Sequence, residues 1–291
     1  MDPQTRDRIR SLPCWQGTPR LAPLDGGMTN HNFLVQDGAA RYVLRLGVDL
    51  PEHGVLRTQE LAAARAAQAL GLSPEVVHAE PGLMVSRYIA GRTLTPVDLR
   101  NPRQLEPALA LLRRCHAGMP ALLPDAAARF DVFAVLRGYL QRLRAQPGPL
   151  PDDRLDVLEA LAQRLELRVP PLAPVFGHND LLAANFIDDG QRLWLIDWDY
   201  AGYGNPLFDL ANLSTNNGFD AALDQELLRL YGDVAPDPGW VAGLQAMQTA
   251  SLLREALWAA VSAQHRRVAF DYAGYLRDCL DRLDRHLAGT A

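Results

Sequence analysis

Residues 175–187, VFGHNDLLAANFI, and residues 193–213, LWLIDWDYAGYGNPLFDLANL, decide how this chain is read. Two short apolar runs, 175–176 and 186–187, flank a polar loop, and Asp188-Asp189-Gly190 turns the chain into a third run, 193–196. The pattern predicts a loop followed by a hairpin that ends on the carboxylate of Asp197. The loop carries His178, Asp180 and Asn185. Taken singly, an Asp or Asn in a turn is a local cap, and a lone His there is structural. The ordered set is H-x-D-x(4)-N, then an apolar strand, then I-D-W. Together it supplies what phosphoryl transfer needs. Asp180 suits a carboxylate that orients an acceptor hydroxyl and takes its proton, and Asn185 and Asp197 offer hard oxygens to magnesium.

Outward from this segment, the first ninety residues alternate short β-like runs with turns. Residues 32–35 and 41–46 (RYVLRL) read as a hairpin around Asp37-Gly38. Residues 60–70 (ELAAARAAQAL) read as a helix with Gly71 at its C-terminal cap. Residues 76–78 and 83–89 read as two further strands around Pro81-Gly82. Beyond Gly91 the pattern becomes helical, over 104–116, 132–146 and 153–168, with proline clusters at 147–151 and 170–174. A β-rich interlude over 175–198 is followed by helices near 206–215, 222–231, 238–265 and 270–288. This predicts an α+β protein with a small β-rich unit, residues 1–90, and a larger, mainly helical one, residues 91–291.

Composition removes several chemistries. All 29 basic residues among the 291 are arginine, and lysine is absent. A Walker A loop and a Schiff-base or PLP enzyme both need a lysine, so neither fits. The net charge of −5 gives no general attraction to nucleic acid. No apolar run reaches the roughly 18 residues of a membrane span, and Met1 to Arg10 is too polar for a signal peptide. Cys14, Cys115 and Cys279 are too scattered for a zinc site or disulfide framework, which points to the cytoplasm. The richness in Arg, Ala and Pro without Lys points to a GC-rich bacterial genome.

The decisive segment resembles the catalytic core of the choline/ethanolamine kinase and aminoglycoside phosphotransferase superfamily, small-molecule kinases with a protein-kinase-like fold. The residues that carry the likeness are His178-Asn179-Asp180, Asn185, Ile196-Asp197-Trp198-Asp199-Tyr200-Ala201-Gly202, Asn205-Pro206 and Phe208-Asp209-Leu210-Ala211. The resemblance implies two lobes with ATP and magnesium between them. It makes Asp180 the catalytic base, Asn185 and Asp197 the magnesium ligands, and His178 and Asp209 structural supports. It implies a phosphate-covering turn at Gly26, Gly27, Met28, Thr29 and Asn30. It puts Arg45 on the ATP phosphates, where protein kinases carry lysine, with Glu60 as its ion-pair partner; arginine's planar fork suits phosphate. Met84, Val85, Tyr88 and Ile89 become candidates for the adenine side.

The acceptor is expected to be a small cationic alcohol. Choline comes first, ahead of ethanolamine and thiamine, with an aminoglycoside or a catalytically silent nucleotide-binding module as further alternatives. A quaternary ammonium favours aromatic faces with carboxylates nearby, and Asp199, Tyr200, Tyr203 and Trp258 are the candidates. Three departures bear on this. The family motif often has Glu where this chain has Asp199, a change that preserves charge; residues 212–217 (NLSTNN) carry no carboxylate where choline kinases tend to have one; and Glu255 stands one turn before Trp258, where eukaryotic members have a second Trp.

Overall fold

The computed structural model describes residues 2–24, 30–123, 128–232, 237–265 and 270–289. A helix, α1 (Pro3–Arg10), opens the chain, its first turn capped by the Asp2 side chain. A five-stranded antiparallel sheet follows, from β1 (Arg20–Leu24), β2 (His31–Asp37), β3 (Ala40–Leu46), β4 (Val76–Glu80) and β5 (Leu83–Arg87), in the order β1-β2-β3-β5-β4. Side chains alternate across a strand, and β3 shows the result. Tyr42 and Leu44 join Ile9, Val35 and Val85 in a small core beneath α1. Val43 and Arg45 face the other way, into a cavity. The helix α2 (Arg57–Ala69) joins β3 to β4 and ends where Gly71 takes a left-handed φ of 65°.

The rest is mainly helical. A short strand, β6 (Arg92–Thr93), and a short helix, α3 (Pro96–Leu99), lead into α4 (Pro102–Gly118), α5 (Val132–Ala145) and α6 (Asp152–Glu166). Short strands then carry the decisive segment: β7 (Val175–Gly177), β8 (Phe186–Asp188), β9 (Leu193–Leu195) and β10 (Gly202–Gly204). They form two small sheets, β6-β8-β9 and β10-β7. The chain closes with α7 (Pro206–Asn217), α8 (Ala221–Gly232), α9 (Pro238–His265) and α10 (Tyr272–Gly289). Helix α9 touches α5, α6, α7, α8 and α10. It is apolar nearly all round, as a central helix must be.

The predicted strands and helices are present, most with ends shifted by one to three residues. The elements that periodicity did not reveal are α1, β1, α3, β6 and β10. Each is short, and β1 contains Pro23, which an edge strand tolerates because one side of its ladder is unpaired. Gly91 marks the passage between the two regions. A Cβ there would lie 2.5 Å from the Asp188 carbonyl oxygen, so only glycine permits the approach to β8.

The loop between β3 and α2 crosses from the sheet to the helices. A Leu50–Val55 bridge closes it, and His53 at its tip is buried between α5 and α9. Its Nδ1 lies 3.1 Å from the Tyr139 hydroxyl and its Nε2 3.0 Å from that of Ser262. Its ring stacks on Trp258 with centroids 5.2 Å apart. Burial pushes the His53 imidazole down from 6.5 to about 3. Between those values the unfolded chain binds a proton that the folded chain refuses. The stability contribution of neutral His53 is therefore complete above pH 6.5 and is lost as pH falls towards 3, by up to about 1.4 kcal/mol per pH unit. Comparing urea midpoints at pH 7 and 5, the acid loss should be smaller in His53→Gln than in the parent; equal losses would refute the assignment.

Candidate active site

The loop after β7 is held from below by helix α7. Asn205 caps that helix, with Pro206 in its first turn. One turn in, the buried Asp209 carboxylate accepts the backbone N–H groups of His178 at 2.8 Å and Asn179 at 2.6 Å. The same carboxylate pairs with His116 Nε2 at 2.8 Å, and His116 Nδ1 meets the Tyr231 hydroxyl at 2.7 Å. Burial raises the Asp209 carboxyl, but the hydrogen bond and charge of His116 outweigh it and hold it below the ordinary range. Further along the helix, Asn212 accepts from Leu181 N–H, and Asn217 accepts from Ala183 N–H at 3.1 Å.

These bonds hold a strained backbone. Asn179 and Asp197 are the non-glycine residues with positive φ among those described, at 63° and 69°. Each such residue costs about 1–3 kcal/mol and needs surroundings that over-determine it. The Asn179 side chain donates to the Tyr200 carbonyl at 3.0 Å, which joins the loop to the hairpin. His178 makes a second join. Its Nε2 donates to the Ile196 carbonyl at 3.0 Å, which leaves Nδ1 to accept the Asp180 N–H at 3.3 Å. Burial lowers the His178 imidazole and favours this neutral tautomer.

Asn185 donates its amide N–H to the Asp180 carbonyl at 2.8 Å. Burial raises the Asp180 carboxyl to about 7, against the opposing charge of Arg254. Asp197 stands on the far side of the turn. Burial raises its carboxyl too, but the charge and hydrogen bond of Arg45 prevail and lower it.

Arg45 Nη1 lies 2.6 Å from Glu60, 3.0 Å from Asp197 and 2.9 Å from Asp199. Arg57, which lies ahead of the helix predicted from the sequence and opens α2 in the structure, lies 2.7 Å from Glu60 and 2.9 Å from Asp199. Asn30 Nδ2 donates to the second Asp199 oxygen at 3.2 Å, and its own Oδ1 is buried without a partner. Gly26, Gly27, Met28 and Thr29 lie outside the described residues.

Two cavities flank this cluster. The first, about 370 Å³, lies beneath the sheet between Val43, Met84, Tyr88, Ile89, Ile187 and Ile196. Val85, on the opposite face of β5, is fully buried in the small core and does not reach it. The second, about 240 Å³, is bounded by Asp180, Asp199, Tyr200, Arg254, Glu255, Trp258 and Tyr275. Both are lined by Ala184, Asn185 and Asp197. Asp180 opens only to the second and Arg45 only to the first.

The structure thus brings together most of the expected residues, with two changes. Tyr203 does not line the second cavity. It sits in β10 opposite Phe176 of β7, its ring edge-on to that phenylalanine at 5.2 Å. Asp199 borders the cavity, but its carboxylate is spent on Arg45, Arg57 and Asn30. Sequence reasoning missed Arg57, Arg254 and Tyr275. An arginine within the apolar run of α9 was the signal available for Arg254.

The chain matches the model of the phosphotransferase enzyme family over residues 20–244. It belongs to that family. A choline/ethanolamine kinase family protein from Mesorhizobium loti is 30% identical, covers 98% of this chain and 94% of its own, and superposes with a TM-score of 0.80. Protein LicA of Haemophilus influenzae is 31% identical over 65% of this chain and 56% of its own length. A probable ethanolamine kinase of Arabidopsis thaliana is 26% identical over 87% of this chain and 75% of its own. The chain thus spans a little over half of the LicA protein it matches. Its architecture is the two-lobed, protein-kinase-like α+β fold of these phosphotransferases.

Asp209 is the brace of the loop. Asp209→Ala leaves His116 and two backbone N–H groups without their buried partner, and should lower stability by about 3–5 kcal/mol. Asn212→Ala removes only neutral partners, the acceptor of Leu181 N–H and a donor to Ser251, and should cost about 1–3 kcal/mol. Urea denaturation of the two variants reads the difference; a milder effect for Asp209→Ala would contradict the bracing role.

Proposed function

We propose that this phosphotransferase is a kinase that moves the γ-phosphoryl group of ATP to the hydroxyl of a small amino alcohol of the choline and ethanolamine class. One observation carries it. The two cavities meet at a wall of Asn185 and Asp197, with Arg45 on one side and, on the other, the Asp180 carboxyl, 3.9 Å from Arg254 Nη1. The sheet-side cavity is the size and polarity for a nucleotide: an apolar slot by Met84, Ile89 and Tyr88 for the base, and Arg45 for the phosphates. The other takes the acceptor alcohol.

In this assignment Asp180 touches the acceptor hydroxyl. The hydroxyl oxygen forms a bond to the γ-phosphorus as the bond to the ADP oxygen breaks, and its proton passes to the Asp180 carboxylate. A group whose carboxyl is raised towards neutrality accepts a proton more readily than an ordinary aspartate. Arg45, oriented by Glu60, neutralises phosphate charge.

Asn185 and Asp197 fit a magnesium ion. The amide nitrogen of Asn185 is engaged by Asp180, which leaves its oxygen as the coordinating pole, and Asp197 is held in its charged form. Among the described residues no cluster of three His, Cys, Asp or Glu could hold a metal alone. That suits an ion that takes its remaining ligands from phosphate and water. When bound, magnesium supplies charge neutralisation at the phosphates.

We place the division between the lobes at residue 90, with residues 1–90 over the nucleotide and 91–291 carrying the catalytic loop and acceptor site. The end of β5 at Arg87 and the pairing of β6 with β8 support it. Among the described residues no helix is long and apolar enough to cross a membrane. All three cysteines are free, in keeping with a cytoplasmic location.

Asp180→Asn tests the mechanism. ADP release with an amino alcohol should fall by about 10²–10⁴-fold, while ATP affinity by calorimetry stays within a few-fold. Turnover at the parental rate would overturn the role of Asp180.

A further inference from the structure

Resting on the amino-alcohol reading above, one property of the acceptor cavity goes beyond it. Two of its aromatic rings, Tyr200 and Trp258, already carry the protein's own side chains. The Arg254 guanidinium lies 4.3 Å from the centre of the Tyr200 ring, the position a ligand cation would occupy. Trp258 is stacked on His53, donates its Nε1–H to the Tyr200 hydroxyl at 2.8 Å and meets Tyr275 nearly at right angles. Phe270 packs edge-to-face on Tyr275. Arg254 is itself among the most deeply buried side chains of the molecule, 2% exposed, so it is a fixed wall of the site.

Besides Asp180, which the reaction uses and which lies 3.9 Å from Arg254 Nη1, this wall offers a ligand cation one further carboxylate. Glu255 lines the cavity; one of its oxygens accepts the Tyr275 hydroxyl, and the other lies 3.9 Å from Arg254 Nη1. That separation is longer than a hydrogen bond, so the oxygen retains capacity for a donor. A quaternary ammonium has no N–H and is held chiefly by aromatic faces. A primary or secondary ammonium can donate directly to a carboxylate in a charge-assisted bond. A cation without N–H would meet the guanidinium on Tyr200 and gain no hydrogen bond in return.

We propose that Arg254 is a specificity-determining residue that occupies the cation site on Tyr200, so that the pocket selects alcohols whose ammonium nitrogen carries a hydrogen for Glu255 and disfavours quaternary ones. Glu255 reads the ammonium directly. Arg254 acts by denying the alternative mode.

The test is an ADP-release assay on the full chain with ethanolamine, its N-methyl and N,N-dimethyl derivatives, and choline. The kcat/KM should fall most, by roughly tenfold or more, at the last methyl group, where the final N–H is lost. Arg254→Met uncovers the Tyr200 ring and should raise the choline-to-ethanolamine ratio of kcat/KM by about tenfold. Glu255→Gln should lower that of ethanolamine more than that of choline. The parent series needs no variant, so it decides the matter even where Arg254→Met does not fold. A flat series, a preference for choline, or an unchanged ratio in folded Arg254→Met overturns the inference and leaves the kinase assignment standing. Failure of every amine while another class of alcohol is phosphorylated overturns the amino-alcohol reading, and the inference with it.

Discussion

Asp199 is the point at which the two lobes are joined by charge. Arg45 from a strand and Arg57 from a helix both bind it, and both also bind Glu60. Removing such groups from water costs several kcal/mol per ion, which the mutual attraction offsets only when the geometry is good. Here two arginines and three carboxylates share short contacts, so neither arginine can leave without stranding buried negative charge. Asp197 is drawn into the same cluster from its strained turn. The position of the Asp197 carboxylate is thereby tied to the sheet, to α2 and to the hairpin at once.

The absence of lysine has a plain physical counterpart here. An ammonium is a point charge on a flexible stem, whereas a guanidinium presents several donors in one plane. Arg57 uses that geometry: its Nε donates to the Val48 carbonyl while its Nη1 meets Glu60 and Asp199, beside the Arg45 Nη1 that meets Glu60, Asp197 and Asp199. Replacing Arg57 by lysine would therefore not be a conservative change.

The loop after β7 was legible because its residues are contiguous and of fixed chemical type. His178, Asp180, Asn185 and Asp197 could be read from spacing alone, and the strands β2, β3 and β5 from their alternation. What could not be read arises between distant segments. Tyr203 looked like a pocket aromatic because it follows Tyr200, yet the pairing of β10 with β7 carries it to Phe176. Residues 212–217 were read for the carboxylate they lack, whereas Asn212 and Asn217 instead bind the catalytic-loop backbone. Arg254 and Tyr275 reach the cavity from two helices whose packing no local pattern encodes.

The His53 loop sets the mechanics of the molecule. Along the chain it lies between Arg45 and Glu60, which form an ion pair beside the sheet-side cavity, and its tip is pinned against Trp258 in the wall of the other cavity. Segments that lead to the first cavity thus run through an anchor on the second. Any rigid rotation of the sheet away from the helices must either pivot about that anchor or pull on the Trp258 indole. The two cavities are therefore parts of a single mechanical linkage, in which loosening one end changes the shape of the other.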